Sequence, residues 1–405
     1  MNEQWFKEYV LLAFRMDKAI RKFTESRFVD YYYGPPEWKA EAEAEKPADE
    51  LVRDAMSLED TLVEQGFEAH RAIYLEKQVE ALETVCRKLN GETFSLEEEV
   101  LRCFDIHPER IPESQFEQGL ALLDEALQGD ESLPDRLQGW RNRYQLVQEK
   151  SGLLLNFMQR AAAESLRRTQ AFVNLPADEG IEVQMVSDKV YMGENWYLGN
   201  YRSRVELNTD LPTALNGLLD FMCHEGYPGH HTEFVLKEQR LFRERGYLEQ
   251  SIFPIISPQS VISEGIATSA CELIFSPEEA EQWLAEHIYP EAGIEPDTVD
   301  IAKLRKALEL LEYPVGGNAA FLLHEGRSDD EVMKYLIKYS MLPDEEVLKY
   351  LEFLKVPFQQ AYIFTYFYGR QLIKPWLQRP DRLTRFHRFL TEQVYPSELV
   401  KEAMS

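Results

Sequence analysis

One step in the chain limits what its surroundings can form: Pro228-Gly229, inside the stretch "HEGYPGHH" at residues 224–231. Proline lacks the amide hydrogen that a helix interior needs, and glycine readily leaves helical geometry. A helix that enters this stretch must therefore bend or end. Three of the eight histidines, His224, His230 and His231, fall here, with Glu225 beside the first. In a straight helix His224 and His231 would share a face but stand about 10 Å apart along the axis. That is too far for two nitrogens that must each come within about 2.1 Å of one metal ion. His230 would point to another side. A bulge or break at Tyr227-Pro228-Gly229 absorbs two extra residues and brings one histidine back towards His224. His230 needs the smaller insertion over the ordinary spacing and is the preferred partner. His231 then lies behind the ligands or faces a substrate. The plainer reading is a helix C-terminus, whose negative end favours imidazole without any metal.

The run before it, "NTDLPTALNGLLDFMC", reads as the approaching helix, with Asp210 as N-cap and Pro212 in its first turn. Leu211, Leu215, Leu218, Leu219 and Met222 form its buried stripe, and Cys223 reads as a small buried residue rather than a ligand. A second His-Glu pair, His324-Glu325, has no histidine after it and reads as a helix terminus. A zinc site needs a third protein ligand and an open position. The candidate is Glu264 in "SPQSVISEGIATSACELIF", a helix opened by Ser257 as N-cap and Pro258. A carboxylate among Val261, Ile262, Ile266 and Ala267 must find a partner. The alternative is an exposed face carrying Ser260, Ser263 and Glu264.

Elsewhere the pattern is helix after helix. Helical periodicity spans residues 3–29, 49–65, 68–90, 96–104, 113–128 and 132–172, and returns at about 211 to run to the end. Between them, residues 173–209 hold short β-branched and aromatic runs ("IEVQMV", "NWYLGNY", "SRVELN") that read as a small antiparallel sheet. The expectation is a mainly α architecture, with an N-terminal helical lobe over 1–172 and a second lobe over 173–405 in one compact body. A net charge of −27 argues against nucleic acid as partner. No apolar run reaches the length of a membrane span. The charged first residues show no signal-peptide pattern, and four widely spaced cysteines fit reduced thiols, so a cytoplasmic location is expected.

"HEGYPGHH" resembles the H-E-x-x-P-G-H-H signature of a large bacterial family catalogued as domain of unknown function 885, which is grouped with the zincin-type metallopeptidases of the Glu-ligand kind. "FVDYYYGPPEW", "FDIHPERIPESQFEQGL", "SEGIA" and "PFQQAYIFTYFYGRQLI" resemble further stretches of that family, so the likeness extends over most of the chain. Ile266 stands where the family has Trp, and Ser269 and Cys271 replace its aromatic and acidic positions. The resemblance implies a zincin-like fold with the sheet beside the motif helix, and Zn2+ held by His224, His230 and Glu264. Glu225 is implied as general base. Tyr366 is the candidate donor to the oxyanion, with Tyr362 four residues earlier as its rival. The implied substrate is a peptide or small amide. The strands near 196–208 are candidates to pair with it, and Arg202, Arg204 and Arg370 to bind its carboxylate. The competing reading is a catalytically inactive helical protein that binds a metal or a peptide.

Overall fold

The computed structural model describes residues 2–189, 192–210 and 213–404. Its first part is helical: α1 (Asn2–Ile20), α2 (Pro36–Glu41), α3 (Ala48–Leu62), α4 (Ala69–Leu89), α5 (Leu96–Phe104), α6 (Glu113–Ala126), α7 (Leu133–Arg143) and α8 (Leu154–Thr169). The helix expected over 3–29 ends at Ile20, and the β-branched and aromatic residues after it form β1 (Val29–Tyr32) instead. The long helix expected over 132–172 is two helices, joined through a 3-10 turn over Gln148–Leu153.

Three strands follow, β2 (Gly180–Val186), β3 (Gly193–Gly199) and β4 (Arg202–Asn208), in the order β2-β4-β3. The β3–β4 pair is antiparallel as expected, but β2 joins β4 in parallel, so the sheet is mixed. Then come α9 (Leu218–Glu225), α10 (His230–Lys237), β5 (Ile252–Pro254) and α11 (Pro258–Ile274). The last part is again helical: α12 (Pro277–His287), α13 (Tyr289–Ala292), α14 (Ile301–Glu309), α15 (Glu312–His324), α16 (Asp329–Ser340), α17 (Asp344–Leu354), α18 (Phe364–Leu377), α19 (Arg382–Thr391) and α20 (Pro396–Met404). α15 stops at His324, the terminus expected there.

Helix α9 is shorter than its sequence pattern. Leu211 and Pro212 lie outside the described residues, and the chain first makes a 3-10 turn at Leu215–Gly217. Asp210 caps no helix; its carboxylate accepts from the Asp188 amide at 3.0 Å. The stripe Leu215, Leu218, Leu219 and Met222 is buried.

The centre of the molecule is α11. It is apolar on every side and nearly all its residues are buried, as a helix sunk in a core must be. It crosses α18 at close quarters: a β-carbon on Gly265 would fall 2.4 Å from the Gly369 carbonyl oxygen. One apolar cluster takes in Trp5, Leu82 and Met158 from the first part of the chain and Leu218, Val261 and Phe364 from the last. Strand β1 pairs antiparallel with β5, and Tyr31 packs on Tyr197, Phe234 and Phe253. The cysteines Cys86, Cys103, Cys223 and Cys271 are free thiols, all buried. Among the described residues, no helix is long and apolar enough to cross a membrane.

Candidate metal centre

The break at Pro228-Gly229 is real and compact. α9 ends at Glu225, Tyr227-Pro228 is a cis peptide, and α10 begins at His230. The loop folds back against the last turn of α9, where the Gly229 amide donates to the Cys223 carbonyl at 2.9 Å. Only glycine fits there, since a β-carbon on Gly229 would sit 2.1 Å from the His224 carbonyl oxygen. The tight return brings the rings of His224 and His230 to a centroid distance of 4.8 Å, edge to face.

Glu264 arrives from α11. His224 Nε2 lies 3.7 Å and His230 Nε2 3.9 Å from its Oε2. The donor atoms of these three residues all fall within 4.8 Å of one another. Tetrahedral coordination with bonds of about 2.1 Å needs donors about 3.4 Å apart, so small side-chain adjustments would close the set on one ion. Among the described residues this is the group of histidine, cysteine and acidic side chains that could hold a metal.

Two properties of the site fit a cation. The Oε2 of Glu264 is buried and has no hydrogen-bond partner, although Oε1 accepts from the Tyr362 hydroxyl at 2.7 Å. An orphaned buried carboxylate oxygen is costly, and one facing two imidazole nitrogens is placed to take a metal ion as its partner. The protonation tendencies point the same way. Burial, with the neighbouring His230, holds His224 well below the usual histidine range, and burial brings His230 down to about 4, so both rings are neutral and can donate a lone pair. Burial pushes the Glu264 carboxyl up to about 8, against the opposing hydrogen bond from Tyr362. Burial raises Glu225 well above the carboxylate range, and Glu264, Glu194 and Asp30 add to the effect. The protein's own side chains thus leave two adjacent carboxylates short of positive charge, which a divalent ion would supply.

Glu225 stands beside the group, its Oε1 3.9 Å from His224 Nε2. Its backbone carbonyl, at the end of α9, accepts from Asn195 Nδ2 of β3 at 2.5 Å, so the sheet fixes the helix end. His224 keeps 24 % of its side-chain surface open, so the group is not sealed from solvent. Tyr366 lies near this group. The charges of Glu264 and Glu225 both act on its phenol, after burial as the larger cause of its raised pKa. Its ring stacks on Tyr313 and meets Tyr362 edge-on. The Tyr362 hydroxyl is committed to Glu264, while that of Tyr366 bonds to no other described residue.

The structure assigns different work to other residues singled out in the sequence. His231 is fully buried and faces away from the ligand group: its Nδ1 meets Ser203 Oγ at 2.8 Å and its Nε2 meets Glu179 at 2.9 Å. Tyr227 donates to the same Glu179 at 2.6 Å, so this trio pins the Pro228-Gly229 loop to the sheet. Arg370 is spent on the Thr268 carbonyl, Glu272 and Glu309. Arg202 donates to the carbonyls of Asp178 and Glu179, and Arg204 pairs with Glu206. Cys223 is buried beside Ser165 and takes no place among the ligands. The Ser257 hydroxyl donates to the Pro254 carbonyl rather than capping α11. Ser260 and Ser263, read as a possible exposed face, are buried with Glu264. Asn195, Asp30 and Glu194 carried no signal in the sequence, because β1 and β3 reach the site only through tertiary pairing.

No protein-family model matches the chain, and no curated protein matches it either. Among solved structures it is similar to a "putative lipoprotein" from Colwellia psychrerythraea, with 15% sequence identity, a TM-score of 0.54, and coverage of 95% of this chain and 68% of that one. It is also similar to a "putative lipoprotein of unknown function" from Shewanella oneidensis, at 10% identity and a TM-score of 0.51, covering 88% of this chain and 72% of the other. An M32 carboxypeptidase from Deinococcus radiodurans R1 aligns over 99% of this chain and 94% of its own at 10% identity, but with a TM-score of 0.38. At these identities the first two likenesses establish a shared fold, and the third is too slight to build on.

Proposed function

We propose that the chain is a zinc-dependent hydrolase that cleaves amide bonds in a peptide or small amide substrate. The observation that carries this reading is the orphaned Oε2 of Glu264 facing the bare sides of two neutral imidazoles, with a further carboxylate, Glu225, alongside. His224, His230 and Glu264 supply two nitrogens and one oxygen, the donor set of a catalytic zinc site with one open position. Zn2+ bound there would polarise the scissile carbonyl and bring the pKa of a water down to about 7. Glu225 takes a proton from the attacking water and returns it to the leaving amine. Its raised proton affinity suits both halves of that task. Tyr366 donates its free hydroxyl to the oxygen that gains charge. Tyr362 instead holds Glu264 in place.

Two outcomes test this reading. Protein purified without a histidine tag should retain about one zinc per chain by elemental analysis, and Glu264→Ala should fail to keep it through dialysis. Full occupancy in that variant removes Glu264 from the site. With a cleavable peptide found from a library, Tyr366→Phe should lower turnover by about 10²–10³-fold at unchanged metal content. Tyr362→Phe should instead weaken metal retention. The reverse pattern would exchange the two roles, and a chain that binds zinc yet cleaves nothing in the library would favour a binding function.

A further inference from the structure

We infer that Ser263 sets the tautomer of His230, as the last link of a one-way hydrogen-bond chain that begins at Lys237. The chain leaves Nε2 of His230 bare at the candidate metal centre. This inference rests on reading His230 as a ligand, and its direction follows from counting protons. Lys237 Nζ can only donate. It lies 2.6 Å from Glu233 Oε1, with Glu233 wholly buried and Lys237 nearly so. A carboxylate held by an ammonium accepts and does not donate. Its other oxygen, Oε2, lies 2.6 Å from Ser263 Oγ, so the single hydroxyl proton of Ser263 is spent there. Ser263 Oγ is also 3.1 Å from His230 Nδ1 and has only a lone pair left to offer. The one proton of a neutral His230 must therefore sit on Nδ1. Its Nε2, 3.9 Å from Glu264 Oε2, carries a lone pair directed into the ligand group.

The chain is built on two of the three helices that carry the candidate ligands. His230, Glu233 and Lys237 lie on successive turns of α10, and Ser263 precedes Glu264 on α11. Packing α10 against α11 thus brings His230 to Glu264 and orients its ring in the same act. Partners of this kind behind a ligating histidine typically govern metal affinity by about 10–100-fold.

The experiment measures Zn2+ affinity by competition with a chelator, and the His230 tautomer by NMR of metal-free protein carrying isotope-labelled histidine. The His230 signal is assigned by its absence in His230→Asn. The unaltered protein should show the proton on Nδ1. Ser263→Ala should bind Zn2+ about 10–100-fold more weakly, and Ser263→Thr, which keeps a hydroxyl, should recover most of the loss. Glu233→Gln is the sharper variant. Its amide can accept from Lys237 and donate to Ser263, which forces the serine proton towards His230 and moves the imidazole proton to Nε2. A proton on Nε2 in the unaltered protein, or unchanged Zn2+ affinity in both Ser263→Ala and Glu233→Gln, overturns the inference. If the variants do not fold, the tautomer of the unaltered protein decides alone. If the unaltered protein binds no Zn2+, the proposed function fails while the tautomer still judges the chain.

Discussion

Glu225→Gln is expected to leave the zinc content of the protein unchanged and to lower hydrolysis of any peptide it cleaves by about 10²–10⁴-fold. The substitution keeps the shape of the side chain and removes only its capacity to take a proton. Glu225 lies outside the group of three residues whose donor atoms converge, so metal retention should not depend on its charge. Its position does not depend on the side chain either, because the Asn195 amide holds its backbone carbonyl from β3. What the variant loses is the proton acceptor next to His224. The buried carboxyl is pushed up by loss of water and by the charges of Glu264, Glu194 and Asp30. Glutamine relieves that repulsion, so the variant should be no less stable than the unaltered protein. A fully metallated, folded variant that hydrolyses the same peptide at the same rate would show that another group moves the proton.

The convergence of His224, His230 and Glu264 was readable from the sequence because each member broke a local rule. Pro228-Gly229 cannot continue a helix, so His224 and His230 could approach only through a bend, and the bend is there. Glu264 is a charge in an apolar helix, and a buried charge needs a partner wherever the fold places it. Helices α3 to α6 followed from periodicity, since each has one apolar face and nearby turn signals.

What escaped was set by distant parts of the chain. The helical reading runs to residue 29, yet Val29 opens a strand because β5, from far down the sequence, offers it a partner. The parallel pairing of β2 with β4 depends on a crossover that strand composition does not encode. His231 could have lain behind the ligands or faced a substrate, and only Glu179 and Ser203, closing on it from the sheet side, decide between these. Ser263 looked like part of a polar face, and its burial depends on α10 lying where it does. Hydrophobic periodicity tells which face of an element is covered. It is silent on which polar atom of another element waits under the cover.

Gly265→Ala is expected to destabilise the protein by about 1–3 kcal/mol or more, and to weaken metal binding with it, although the residue is no ligand. The added methyl would fall 2.4 Å from the carbonyl oxygen of Gly369 and 2.9 Å from Ile373 Cδ1. Gly369 is in the same position from the other side, with a β-carbon placed 2.3 Å from the Val261 carbonyl oxygen. Backbone meets backbone at this crossing, so no side chain can turn aside, and α11 and α18 would have to part. That separation acts directly on the site. Glu264 adjoins Gly265 on α11, while Tyr362, which holds Glu264 Oε1, and Tyr366 belong to the segment that runs into α18. Moving the helices apart stretches the bond that aims Glu264 at the two histidines. Gly139→Ala in α7 is the control, because nothing lies within 4 Å of its β-carbon. There the methyl should stabilise by up to about 1 kcal/mol, through better helix propensity alone. Urea unfolding of the two variants, followed by zinc retention at a concentration where both are folded, separates the effects. Equal unfolding midpoints would mean that the crossing has slack, and undiminished zinc binding in a destabilised Gly265→Ala would mean that the helix contact and the metal centre are independent.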